Sequence, residues 1–209
     1  MYKTFIRYGF VIYASINSTR SHQTWVRKIP FESGIKFNQY NRGEYFQHMA
    51  NGCAHPVKKH LMFRPIDSVI YQKSCEWIYI FTIDDHIVKI GGTRVGLHGR
   101  MKSYLSGLCT RTGSTKVSST NAIVYNTLDS YFQRGYPIEL YAYSLPVVEL
   151  PPMKILDNLG VRIRAQTYQA YETIFLEDFK RTYGAVPALN HNWDPSYDAL
   201  FSKKVKEFD

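Results

Sequence analysis

Five side chains of this 209-residue chain are of types that do chemistry and stand in positions worth explaining: Tyr79, Lys89, Arg100, Tyr104 and Glu172. Lys89 interrupts the apolar run Ile87 to Ile90, so its ammonium must either reach solvent or face a polar pocket. Arg100 and Tyr104 lie four residues apart, which places them on one face of a helix. A guanidinium carries a rigid fork of donors suited to an oxyanion whose charge grows during a reaction. Tyr79 sits in an aromatic run and Glu172 in a helix with apolar neighbours, where each alone reads as an ordinary core or surface residue. The competing clusters are weaker. Cys53, His55 and His60 have no fourth ligand nearby and match no common zinc spacing. Asp84 and Asp85 stand at a hairpin tip, where turn chemistry explains a pair of acids.

The elements that must position these groups are legible from Glu76 onward. Trp77 to Ile83 is a run of aromatic and β-branched residues without polar alternation, the pattern of a central strand covered on both faces. Asp84 and Asp85 follow, then a second strand from His86 that Gly91 and Gly92 end, so the pair reads as a β-hairpin. Leu97, Met101 and Leu105 mark one face of a short helix. A Ser/Thr/Gly-rich loop, Ser106 to Ser119, precedes a second helix that Ser119 or Thr120 caps and Gly135 ends. Ile138 to Leu145 reads as a third strand. Beyond the proline breaks comes a long helix, about Ala165 to Thr182, with Tyr168, Tyr171, Phe175 and Phe179 at helical spacing. Residues 1 to about 70 show no sustained period.

Composition bounds the answer further. With 44% hydrophobic and 15% aromatic residues, the chain has material for one substantial core. The formal net charge is +9, and the segment before Ser74 holds 11 basic and 3 acidic residues. The excess therefore belongs to one segment, for which a polyanion such as nucleic acid is the natural partner. Three cysteines with no CxxC pair suggest a reducing compartment. The first residues are too short and too tyrosine-rich for a signal peptide, and no run is long enough to span a bilayer, so a soluble intracellular (cytoplasmic) protein with no membrane partner is expected.

The order Trp77-Ile78-Tyr79, Lys89-Ile90-Gly91, Arg100 with Tyr104, Glu172 and then Asn190 after Pro187 resembles the GIY-YIG nuclease family. The resemblance covers about residues 76 to 192 and is closest to the small type II restriction endonucleases of that family, in which a lysine replaces the second motif's tyrosine. Trp77 stands where the family name has glycine, and Asn190 lies rather far beyond Glu172. The resemblance implies that Tyr79 activates the attacking water and that Glu172 binds one divalent metal ion per active site, for which Mg²⁺ suits a hard carboxylate oxygen. It also implies that Tyr104 works near the scissile phosphate and that Asn190 supports the site. On charge, Arg100 suits the non-bridging oxygens of a phosphodiester. Lys89 would hold the water or bias Tyr79 toward phenolate.

The implied fold is α/β (α+β): a small antiparallel sheet in the order β-β-α-α-β-α, flanked by helices, with an N-terminal extension. The expected organisation is a basic DNA-binding and dimerisation region over 1–74, a nuclease core over 75–192 and a tail over 193–209. The implied function is metal-dependent hydrolysis of double-stranded DNA by a homodimeric type II restriction endonuclease leaving 5′-phosphate and 3′-hydroxyl ends. The alternatives are a homing or repair nuclease of the same family, a non-catalytic DNA-binding protein that kept the fold, and, ranked low, an RNA-binding module. Arg111, Lys116, Ser119 and Asn121, around the loop after the Arg100 helix, are the first candidates for DNA contacts, with Lys58 and Lys59 from the basic segment. Tyr79 and Lys89 must share a face of the hairpin. A two-residue turn at Asp84 and Asp85 would separate them, whereas a three-residue loop, Asp84 to His86, pairs Phe81 with Lys89. The three-residue loop is therefore expected.

Overall fold

The computed structural model describes residues 2–7, 10–15, 24–27, 29, 31–105, 119–150, 153–155, 159–161 and 164–190. Its centre is a five-stranded antiparallel sheet built from β4 (Gln47–Ala54), β5 (Leu61–Pro65), β6 (Trp77–Ile83), β7 (His86–Thr93) and β8 (Ile138–Ser144), in the spatial order β5-β4-β8-β6-β7. A separate three-stranded sheet precedes it, β1 (Tyr2–Arg7), β2 (Phe10–Ser15) and β3 (Thr24–Arg27), and a two-stranded ribbon, β9 (Met153–Ile155) with β10 (Leu159–Val161), follows it. The helices are α1 (Ser68–Tyr71), α2 (Gly96–Leu105), α3 (Ser119–Phe132) and α4 (Tyr168–Tyr183).

β6 is buried along its whole length between β8 and β7, as a strand without polar alternation requires. Its odd positions, Tyr79 and Phe81, join Leu97, Met101, Val124 and Leu128 in a core under α2 and α3. Its even positions, Ile78 and Ile80, pack with Ile87, Ile90, Phe175, Leu176 and Phe179 under α4. The sheet therefore has helices on both faces. α4 begins at Tyr168 rather than Ala165; just before it Arg164 is still bridged to Glu149, the Ala165 N–H donates to the Val148 carbonyl, and Glu76 Oε2 accepts the Thr167 N–H and hydroxyl. It ends at Gly184, whose φ of 82° supplies a left-handed cap.

Two expectations are corrected. The division at residues 74 and 75 does not separate the sheet, because β4 and β5 lie before it and β4 pairs directly with β8. The hairpin turn is a two-residue one, with Asp84 and Asp85 both at positive φ (48° and 65°), the primed turn that suits twisted strands. It is held from outside, since Asp84 N–H donates to the Pro137 carbonyl and Phe37 N–H donates to the Asp85 carbonyl. The required register survives nonetheless. Thr82 pairs with Ile87 and Phe81 with Lys89, so Val88 is the extra residue of a β-bulge. The bulge returns Lys89 to the face of Phe81 and Tyr79. The expected tail, 193–209, lies outside the described residues.

Candidate active site

The site begins with two glycines on the edge strand β7. Tyr79 on β6 stands opposite Gly91, and a Cβ on Gly91 would overlap the Tyr79 ring and hydroxyl. On the other face, a Cβ on Gly92 would come within 2.7 Å of the Tyr168 ring and 2.9 Å of Glu172 Oε2. At this point the sheet edge is bare of side chains, so groups packed on opposite faces approach one another around it.

From α2, Arg100 reaches back over β6. Its Nε donates to the Tyr79 oxygen at 3.0 Å and its Nη2 donates to the Tyr104 oxygen at 3.1 Å. The two phenol oxygens are 2.7 Å apart, and the guanidinium carbon lies 4.5 Å from the centre of the Tyr104 ring, within cation–π range. Both phenols are buried. The Tyr79 pKa lies above its ordinary value, because burial outweighs the Arg100 charge and the hydrogen bonds from Tyr104 and Arg100 that pull it down. Tyr104 is raised well above the ordinary value, first by burial and then by Tyr79.

Lys89 is buried, and its Nζ donates to the Leu189 carbonyl at 3.3 Å. Burial lowers its pKa to about 8, against the pull of Glu172. Among the described residues, the cation that hydrogen-bonds the Tyr79 hydroxyl is Arg100. Glu172 projects from α4 and accepts the Gly92 N–H at 2.9 Å. Burial raises its pKa, opposed by Lys89, the Gly92 N–H and Arg100. The Asn190 side chain bonds the main chain of the edge strand. Its Oδ1 accepts the Ile90 N–H at 2.9 Å and its Nδ2 donates to the Ile90 carbonyl at 2.6 Å, while Leu189 N–H donates to the Val88 carbonyl. The side-chain amide thus pairs with the edge strand as another strand would.

Glu172 is the acid that could hold a metal. Among the described residues no cluster of three or more His, Cys, Asp or Glu is suited to a cation. A single carboxylate, fixed by one backbone N–H, fits Mg²⁺, an ion that keeps several waters and takes phosphate oxygens as its other ligands.

The expected DNA contacts fare differently. Arg111 and Lys116 lie outside the described residues, Ser119 opens α3 and Asn121 is half-buried within it. Lys58 and Lys59 are exposed in the turn between β4 and β5. That turn belongs to the opposite end of the sheet, level with Asp84, on the far side from β7. The fold does not bring them to Tyr79. Gly92 and the Leu189 carbonyl were missed in the sequence; two adjacent glycines inside an apolar strand are a signal of close approach, whereas a backbone carbonyl has no residue signature.

No family model matches this chain, and no curated protein matches it. Among solved structures it is similar to the restriction endonuclease HPY188I in complex with product DNA, with 22% identity, a TM-score of 0.50, and coverage of 75% of this chain and 86% of that one. It is also similar to a mutant of EndoII from bacteriophage T4, with 18% identity, a TM-score of 0.46, and coverage of 69% of this chain and 92% of that one. The mixed α/β fold around the five-stranded antiparallel sheet is thus one that a restriction endonuclease also has.

Proposed function

We propose that this chain is a metal-dependent endonuclease of the GIY-YIG kind, hydrolysing phosphodiester bonds in double-stranded DNA as a type II restriction enzyme. The observation that carries the reading is the buried Tyr79 hydroxyl, held between Arg100 Nε and the Tyr104 oxygen, with Glu172 reaching the same stretch of sheet edge. A phenol fixed by a guanidinium and a second phenol, beside a lone carboxylate and a buried lysine, is a costly arrangement for a structural core. It is well suited to a reaction that needs a proton acceptor and compensation for growing negative charge. The fold shared with HPY188I, whose structure holds product DNA, supports the same reading.

In this mechanism water attacks phosphorus in line, forming a P–O bond as the bond to the 3′ oxygen breaks. The water's proton goes to the Tyr79 oxygen, whose anionic form is stabilised by donors from Arg100 and Tyr104. The Arg100 guanidinium offsets charge on the non-bridging oxygens. Lys89, anchored by the Leu189 carbonyl, orients the attacking water. Glu172 would hold Mg²⁺, which when bound supplies charge for the phosphate and the departing oxygen. The departing 3′ oxygen takes its proton from solvent water, so the products carry 5′-phosphate and 3′-hydroxyl ends. Two copies related by a two-fold axis would set one such site on each strand of a palindrome.

The test is incubation of the protein with long unmethylated duplex DNA and Mg²⁺, beside Glu172→Ala, followed by mapping of fragment ends. Discrete ends at one short sequence, reduced at least about 100-fold by Glu172→Ala, support the proposal. An unspecific smear removes the restriction-type part of it. Tight binding without cleavage at any site of a DNA of genomic length overturns it.

A further inference from the structure

At the end of the sheet where β6 begins and β7 and β8 finish, a cleft of about 250 Å³ opens between the segments around Arg94 and Arg164. Arg94 is the first residue after β7, and Arg164 lies just before α4. Both are exposed. Arg94 Nη1 donates to Gln166 Oε1 at 3.4 Å, which holds the two arms of the cleft together. Among the described residues neither guanidinium forms a salt bridge, whereas Arg42 and Arg181 are both tied to Asp178. The acid in the cleft, Glu76, uses Oε2 to accept the N–H and the hydroxyl of Thr167, the residue before α4. Glu149 meets Arg164 through the main chain. Among the described residues, two cations without a salt bridge therefore line one opening, beside a Glu76 committed to Thr167.

The position matters as much as the charge. Arg94 is three residues beyond Gly91, the partner of Tyr79, a span of about 10 Å at the rise of a β-strand. Duplex DNA advances about 3.4 Å of axis per nucleotide on each strand, so that span takes in the next two or three phosphates. We propose that Arg94 and Arg164 clamp a backbone phosphate of the strand being cut, close to the scissile phosphate, and so set the register of the DNA over Tyr79. This inference rests on the nuclease reading above. The clamp carries no base information and acts on every sequence alike.

The experiment measures duplex binding in Ca²⁺ across a salt series for wild type, for the double variant Arg94→Gln with Arg164→Gln, and for Arg64→Gln as a charge control on the remote strand β5. The double variant is expected to weaken binding about tenfold and to reduce the slope of log K against log salt by about 0.9, one phosphate contact. A duplex with one neutral methylphosphonate placed within three nucleotides of the cut should weaken wild type and leave the double variant unaffected. Binding by the double variant equal to that of Arg64→Gln, or an unchanged salt slope, overturns the clamp while wild-type cleavage leaves the nuclease reading intact. Failure of wild type to bind duplex DNA at low salt overturns both.

Discussion

The hydroxyl oxygens of Tyr79 and Tyr104 lie 2.7 Å apart, and Arg100 gives one N–H to each. When Tyr79 is ionised, its oxygen can accept from both Tyr104 and Arg100, so the anion is met by two donors already in place. Tyr104→Phe removes one of them without emptying the core. Cleavage is expected to fall by roughly 10- to 100-fold, the worth of a hydrogen bond to a charged group, with the melting temperature little changed. Arg100→Lys cannot reach both oxygens with one fork and is expected to cost more than Tyr104→Phe. Single-turnover rates rank the two variants, and an equal or reversed order contradicts this account.

Lys89 sets stability against activity. Its pKa falls from 10.5 in the open chain to about 8 in the fold because burial disfavours the ammonium. The folded state thus binds this proton less tightly, so the residue's contribution is complete above about pH 10.5 and is lost as the pH falls through 8. The loss is on the order of 3 kcal/mol, from the shift at about 1.4 kcal/mol per unit. Lys89→Met is expected to stabilise the protein near neutral pH while cleavage is lost, and the gain should shrink between pH 8 and 10. Urea denaturation of both proteins across that range checks the sign; parallel curves would sink the idea.

Asn190 is expected to matter through strand geometry. Asn190→Ala leaves the Ile90 N–H and carbonyl without their buried partner, at a cost of about 1–3 kcal/mol. Asn190→Asp should be worse, because it sets an acceptor against the Ile90 carbonyl where Nδ2 now donates. Chemical denaturation gives the order, and hydrogen exchange at the Ile90 amide should accelerate in both variants.

Gly91→Ala tests the close approach at the edge strand. The added methyl falls on the Tyr79 ring and hydroxyl, and overpacking of this kind typically costs 1–3 kcal/mol. The phenol must shift away from Arg100, so cleavage should drop by more than about 100-fold, as small displacements of reacting groups do. A crystal structure of the variant would show the phenol moved; full activity would refute the argument.

How much of this was legible follows the chemistry of each segment. β6 declares itself because all seven of its residues are buried, and Arg100 with Tyr104 because helical spacing is rigid. β4 was illegible: its sequence, Gln47–Ala54, buries only Met49 and Ala50 in succession, with no alternation to read. The hairpin shows a subtler limit. The need for Tyr79 and Lys89 to share a face was readable, yet the same outcome can come from a longer loop or from a tight turn followed by a bulge. The chain uses the second, because Pro137 and Phe37 hold the turn from outside, and neither contact is local in sequence. That Lys58 and Lys59 lie at the other end of the sheet from Gly91 was illegible for a related reason, since charge alone does not say which end of a sheet a turn occupies.

The separations within the site carry a consequence for how it comes into being. Tyr79 and Lys89 are aligned by one local hairpin, but Glu172 meets Gly92 from 80 residues away and Asn190 meets Ile90 from 100. Contacts so distant form late, after long loops have closed. Under the proposed function, a chain leaving the ribosome would therefore hold its phenol and lysine before its carboxylate, and is expected to be inert toward DNA until the carboxylate arrives. On dilution from denaturant, cleavage should return with the slowest folding phase; activity recovered in an earlier phase would show that the carboxylate is dispensable.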